Sequence, residues 1–273
     1  MPARPSFMRG SLVRAALCAL VLPAILAACT PAPDDSDRPE TSREYPRADR
    51  PVSGLGATAF STEEARDDRR EAEVVMDQAG ITRGMSVADI GAGEGYYTVR
   101  LAARVGETGR VLANDIDDDA LRRLGDRIER ERLENVAIVH GSEDDPRLPE
   151  ASFDRIFLVH MYHEVAEPYA FLWRLRPALR RGGQVVVVDT DRPTDQHGIA
   201  PQLLFCEFAA VGYRLVEFVR KPEIAGYYAQ FEAVGARPEP QDIAPCAQPD
   251  IVEAGLSATA GRPPGEVDDV QGT

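Results

Sequence analysis

Val87-Ala88-Asp89-Ile90-Gly91-Ala92-Gly93-Glu94-Gly95-Tyr96 is the stretch on which the reading of this chain turns. Its apolar residues Val87, Ala88 and Ile90 belong to a short predicted strand, Ser86 to Ile90. Three alternating glycines follow, and Thr98 to Val105 then has helical spacing. Glycines belong where a backbone turns tightly and a ligand must approach it closely. The helix N-terminus beyond them offers free N–H groups. The spacing is G-x-G-x-G, not the dinucleotide pattern G-x-G-x-x-G. Asp89 lies two residues before the first glycine. Asp115 ends the next strand, Val111 to Asp115, about 20 residues beyond the loop, the distance at which a ribose hydroxyl is gripped.

Outward from the loop the chain alternates helix and strand. Ser61-Thr62-Glu63-Glu64 is a capping-box pattern, and the spacing predicts one helix from it through Ala79. Leu121, Leu124 and Ile128 mark a further helix face. Val136–Val139 and Arg155–Val159 read as the third and fourth strands. Pro168 opens a helix whose inner face is Phe171, Leu172, Leu175 and Leu179. Gly182-Gly183 turns the chain into Gln184–Asp189, whose four consecutive valines predict a strand buried on both faces. A helix containing Leu203, Leu204, Phe208 and Val211 is followed by two strands with no helix between them, Tyr213–Val219 and Tyr227–Ala233. This alternation predicts an α/β, doubly wound, mostly parallel sheet with an antiparallel ending.

Taken together, these segments resemble the S-adenosylmethionine-dependent methyltransferases of the Rossmann-like class. Val87 to Gly95 matches that class's first motif, and Asp115 in Ala113-Asn114-Asp115-Ile116-Asp117 matches its ribose-binding acid. The resemblance implies a seven-stranded sheet, S-adenosylmethionine as cofactor, and Asp89, Gly91, Gly93, Gly95, Asp115, Ile116, Ser142, Glu143 and His160 as its binding residues. Ile116 falls where an apolar side chain packs on adenine. Gly141-Ser142-Glu143-Asp144 falls in the adenine-edge motif, with Ser142 where Asp is common and Glu143 able to replace it. Leu148 to Asp154 and Leu175 to Gln184 resemble the leads into the fourth and fifth strands. From the residues alone, Asp89 has a second reading as a cap on the loop's own N–H groups, and Glu94 reads as solvated.

Methyl transfer from a sulfonium needs alignment and exclusion of water, with a base only where the acceptor must lose a proton. The acceptor side lies beyond the fourth strand, where the chain reads His160-Met161-Tyr162-His163-Glu164. His163 is the candidate base, because imidazole titrates near neutral pH. Tyr162 and Glu164 are candidates for orienting the acceptor. H-x-x-H-E also has a metal-site look, but the spacing offers no third ligand nearby, so no metal is expected. His197 follows the fifth strand and can face the same pocket, but as a lone loop histidine it reads first as a surface residue; His140 reads as structural.

A formal charge of −14 argues against DNA or RNA as a partner. The sequence has no obvious extra substrate domain, and the expected acceptor is a small molecule. Arg4, Arg9 and Arg14, then an apolar run from Ala15 to Ala28, then Leu26-Ala27-Ala28-Cys29 resemble a bacterial lipoprotein signal. That resemblance implies a signal peptide over 1–28, lipid on Cys29, a membrane anchor in the cell envelope, and a domain facing the periplasm. Losing the three arginines with the signal takes the charge from −14 to −17. Residues 29–59 read as a disordered tether, 60–234 as the methyltransferase domain, and the Pro-rich, acidic 235–273 as a mostly disordered tail. Cys206 and Cys246 either pair or remain free thiols. A competing function is a non-catalytic nucleoside-binding lipoprotein on the same fold. A nicotinamide-dependent oxidoreductase is disfavoured by the glycine spacing and the antiparallel ending.

Overall fold

The computed structural model describes residues 35–54 and 62–247. The signal, Cys29, the ends of the expected tether and the tail beyond 247 lie outside the described residues. Among the described residues no helix is long and apolar enough to cross a membrane.

Seven strands form one sheet in the order β3-β2-β1-β4-β5-β7-β6. They are β1 (Ser86–Ile90), β2 (Arg110–Asp115), β3 (Val136–His140), β4 (Phe153–Val159), β5 (Leu179–Asp189), β6 (Tyr213–Lys221) and β7 (Gly226–Ala233). The first five are parallel to their neighbours, while β7 runs antiparallel between β5 and β6. The helices are α1 (Glu63–Asp68), α2 (Glu71–Gln78), α3 (Tyr96–Val105), α4 (Asp118–Glu131), α5 (Pro168–Leu175) and α6 (Pro201–Ala210). Strand order reverses between β1 and β4, so the carboxyl ends of those strands form the crevice where ligands bind on such sheets.

The valine run of β5 explains the two-layered core. Val185 and Val187 pack with Leu172, Leu175, Leu204 and Phe208 of α5 and α6. Val186 and Val188 pack on the opposite face with Val75 and Met76 of α2 and Leu101 and Val105 of α3. All four valines are fully buried, as a central strand covered on both sides requires.

Two element boundaries differ from expectation. The first predicted helix is broken in two at Arg69-Arg70, where Arg70 has φ of 54°. Its cap is Thr62, whose Oγ1 accepts from the Ala65 N–H. Pro177 has no N–H to continue α5, so a 3₁₀ turn Arg176–Ala178 follows and Leu179 starts β5 instead of extending the helical face.

The largest correction concerns the chain ends. Residues 38–54, expected as a solvated tether, pack on the domain, and the domain therefore extends beyond 60–234. The Arg38 guanidinium pairs with Glu167 at 2.7 Å, and Arg50 with Glu207 at 2.7 Å, all four side chains being buried. Tyr45 is buried against Trp173 in an edge-on contact with ring centroids 5.6 Å apart. Low apolar content suggested a segment that stays solvated, but each buried arginine is paired with a carboxylate, which offsets its desolvation, and the contact of Tyr45 with Trp173 adds apolar burial. At the other end, 235–247 is also ordered: Trp173 Nε1 donates to the Pro238 carbonyl at 2.8 Å, Ile243 is buried, and Cys246 is disulfide-bonded to Cys206 of α6.

Candidate active site

The glycine loop joins β1 to α3, and all three glycines need left-handed backbone, with φ of 67°, 55° and 90° at Gly91, Gly93 and Gly95. A Cβ on Gly91 would lie 2.9 Å from the Met161 side chain, and one on Gly95 would lie 2.6 Å from Leu124. The loop is thus held from one side by the segment after β4 and from another by α4.

Asp115, at the carboxyl end of β2, accepts the Gly93 N–H at 2.8 Å through Oδ2. Its Oδ1 accepts the N–H groups of Ile116 and Asp117 at 2.8 and 3.0 Å. These bonds fix the carboxylate beside the loop, with acceptor capacity remaining for a diol. Ile116 is half-buried next to it. Asp89 is not at the loop surface. It is buried under the loop, accepting from Thr98 Oγ1 at 2.6 Å, and so braces α3 from below. Burial pushes its carboxyl up to about 6, against the Thr98 hydrogen bond and Arg66 and with help from Asp115. Glu94 is exposed and pairs with Arg123.

Ser142 Oγ donates to Asp144 at 3.0 Å, and Asp144 also takes Thr41, Ser42 and Arg174. Ser142 therefore braces its own turn, while Glu143 is exposed at the tip. His140 ends β3 opposite Asp115, with Nε2 3.2 Å from the Ile116 carbonyl.

His160 directly follows β4 with φ of 52°, and its Nε2 is 3.4 Å from Glu71 Oε1. Glu71 is buried and also accepts from Arg66 at 2.6 Å and from the Tyr97 hydroxyl at 3.3 Å. Burial alone would raise its carboxyl. Hydrogen bonds from His160 and Arg66 outweigh that and hold it at about 2, so Glu71 is ionised throughout the neutral range. Arg66 and Arg100 both stack on Tyr96, each 3.8 Å from the ring centroid. The sequence signal for Glu71 was a carboxylate beside the apolar positions Ala72, Val75 and Met76 of one helix.

Beyond β4 the candidates separate. Tyr162 is fully buried, donates to Glu207 at 2.8 Å and lies under Arg50, so the structure places it in the core and not at a surface an acceptor could reach. Its hydroxyl is pushed well above the ordinary tyrosine range by burial and by Glu207. His163, 2% exposed, has Nδ1 3.0 Å from both oxygens of Asp189, which ends β5 after the valines. Asp189 itself is held by the Thr190 N–H at 2.7 Å. A carboxylate on Nδ1 fixes that nitrogen as the proton-bearing one and leaves the lone pair on Nε2. Asp189 was legible as an acid closing an apolar strand, yet it was missed. His197 comes up beside His163, with ring centroids 5.8 Å apart. His163, Glu164 and His197 each present a ligand atom within 4.8 Å of the others. The reason for setting a metal aside, the want of a third ligand, is thereby corrected: it arrives from beyond β5.

Residues 87–183 match the family profile described as a methyltransferase domain. Over 120 residues the chain is 31% identical to a demethylmenaquinone methyltransferase of Staphylococcus aureus, covering 44% of this chain and 49% of that one. Over 124 residues it is 30% identical to a ubiquinone/menaquinone biosynthesis C-methyltransferase of Salmonella arizonae, covering 43% and 47%. The chain thus spans about half the length of the curated relatives it matches. Among solved structures it is similar to a SAM-dependent methyltransferase from Aquifex aeolicus, with a TM-score of 0.54 and 24% identity over 59% of this chain and 87% of that one. It is equally similar in fold to the [4+2]-cyclase SpnF, with a TM-score of 0.54 and 15% identity over 71% and 91%. The fold is that of the Rossmann-like methyltransferases, and fold and family match imply S-adenosylmethionine as the cofactor.

Proposed function

We propose that this chain transfers a methyl group from S-adenosylmethionine to a small acceptor. The observation that carries the reading is the Asp115 carboxylate at the end of β2, locked beside Gly93 of the loop that follows β1. Asp115 would take the ribose hydroxyls, Ile116 would pack on adenine, and Gly91 and Gly93 would let the backbone approach. The Arg66–Glu71–His160 cluster borders the loop on the side of β4. When bound, the cofactor supplies an already activated methyl group, so the protein's work is positioning and exclusion of water. In the metal-free chain, the Nε2 lone pair of His163, oriented by Asp189, accepts the acceptor's proton. Glu164 lies beside that nitrogen.

We also propose that the mature chain is lipid-anchored through Cys29 in the bacterial cell envelope and faces the periplasm. The support is the order of basic start, apolar run, small residues and cysteine. Cys29→Ser should move the protein from the membrane fraction to the soluble one; a variant that stays with membranes would reject the anchor.

A second reading, a nucleoside-binding lipoprotein without turnover, is favoured by that export signal, since S-adenosylmethionine is made in the cytoplasm. Small-molecule extract fractions separate the two. The enzyme reading expects acceptor-dependent release of S-adenosylhomocysteine that is lost in Asp115→Ala. Binding without turnover on any fraction favours the second.

A further inference from the structure

Among the described residues, His163 Nε2 is a buried imidazole nitrogen with no hydrogen-bond partner, and Glu164 Oε1 lies 3.9 Å from it. Buried polar atoms in folded proteins are satisfied, so such an atom needs an explanation. The other ring nitrogen faces Asp189 at 3.0 Å, which is how metal-binding histidines are oriented: a carboxylate holds the N–H and turns the lone pair outward.

The lone pair points into a small cluster. His163 and Glu164 sit on the 3₁₀ turn Tyr162–Glu164 that follows β4. His197 closes the 3₁₀ turn Thr194–Gln196 that follows β5, in left-handed backbone with φ of 55°. That backbone is tied down by the packed N-terminal segment: the His197 N–H donates to Ser53 Oγ at 3.0 Å, and Ser53 in turn donates to the Thr194 carbonyl. Thr194 Oγ1 closes the tie on the Pro51 carbonyl at 2.6 Å. The His197 loop is therefore placed, not free to wander.

We propose that His163, Glu164 and His197 form a binding site for a divalent transition-metal ion of the zinc class. Two imidazoles and one carboxylate suit zinc and its neighbours, whereas calcium and magnesium prefer all-oxygen sets. Ligand atoms on tetrahedral zinc lie about 3.4 Å apart, given bonds of about 2.0–2.2 Å. The present separation of 3.9 Å, within a cluster no wider than 4.8 Å, closes to that value by small side-chain rotations. Three protein ligands leave one position for water or an acceptor oxygen. With the ion bound, the His163 lone pair becomes a ligand, and polarising an acceptor falls to the metal. The inference stands on this geometry alone and does not depend on the methyl-transfer reading.

The test uses the full chain, purified without a polyhistidine tag, stripped with a chelator and retitrated with Zn2+ in the absence of S-adenosylmethionine. The expected result is one equivalent bound. Glu164→Gln and His197→Gln should each weaken it at least about tenfold, and Asp189→Asn about 10- to 100-fold. His140→Gln should leave it unchanged. Circular dichroism of each variant separates lost binding from lost folding, and anomalous scattering at the zinc edge should locate the ion beside His163. A folded chain that takes up no stoichiometric zinc would overturn the proposal. So would binding indifferent to both Glu164→Gln and His197→Gln, whatever the S-adenosylmethionine titration gives.

Discussion

Asp89→Asn should stabilise this protein at neutral pH and lose that advantage in acid. The carboxyl is 3% exposed, and in the folded chain it holds its proton to about pH 6, against an ordinary value of 3.8. Below both values it is neutral folded or unfolded and costs nothing. Between them the unfolded chain releases the proton first, so stability falls as pH rises. Above the folded value the full penalty is present. Each unit of difference is worth about 1.4 kcal/mol, so the penalty is about 3 kcal/mol at pH 7 and about 0.5 kcal/mol at pH 4. Asparagine has nearly the same shape, no proton to lose, and an oxygen that can still accept from Thr98 Oγ1. Urea unfolding of both proteins, followed by the fluorescence of Trp173 at pH 4, 5 and 7, measures the difference directly. A gain that does not change with pH, or an asparagine variant less stable at pH 7, would refute the account of Asp89 as an acid paying for its burial beneath the loop.

Other perturbations test other parts of the structure. Tyr162→Phe removes the hydroxyl on Glu207 and should cost about 1–3 kcal/mol in urea unfolding while leaving turnover intact; a selective loss of turnover would restore Tyr162 to the active site. Cys246→Ser opens the disulfide to Cys206, which spans 40 residues, and should cost about 4 kcal/mol on the chain-entropy argument. An unchanged midpoint, with the wild-type bridge shown intact by mass spectrometry, would contradict the packing of residues 235–247.

The parts of the fold legible in the sequence were those with a local cause. The glycine loop, the four valines, the proline that opens α5 and the helix-free final strand pair each announce themselves within a few residues. Asp115 was legible because its distance from the loop is set by one helix and one strand. What the sequence concealed is long-range pairing. Arg38 and Arg50 look like charges of a solvated tether until Glu167 and Glu207 are seen opposite them, 129 and 157 residues later. Tyr162 looked like a pocket residue because it neighbours His163. On a tight 3₁₀ turn, however, consecutive side chains point apart, and Tyr162 goes into the core with Phe208. His163 kept its place in the candidate site beside Glu164, gained Asp189, and has His197 brought up against it. Nothing in the local spacing from His160 to Glu164 could have supplied His197, because β5 and a loop separate them.

The central claim is that the loop and Asp115 form a nucleoside site for S-adenosylmethionine. Calorimetric titration of the folded full chain with S-adenosylmethionine, beside Asp115→Ala, tests it most directly. The account predicts saturable one-to-one binding that weakens at least about tenfold in the variant, the loss expected when about 1.4 kcal/mol or more of hydrogen bonding to the ribose disappears. No heat at millimolar ligand, or equal affinity in the two proteins, would contradict it.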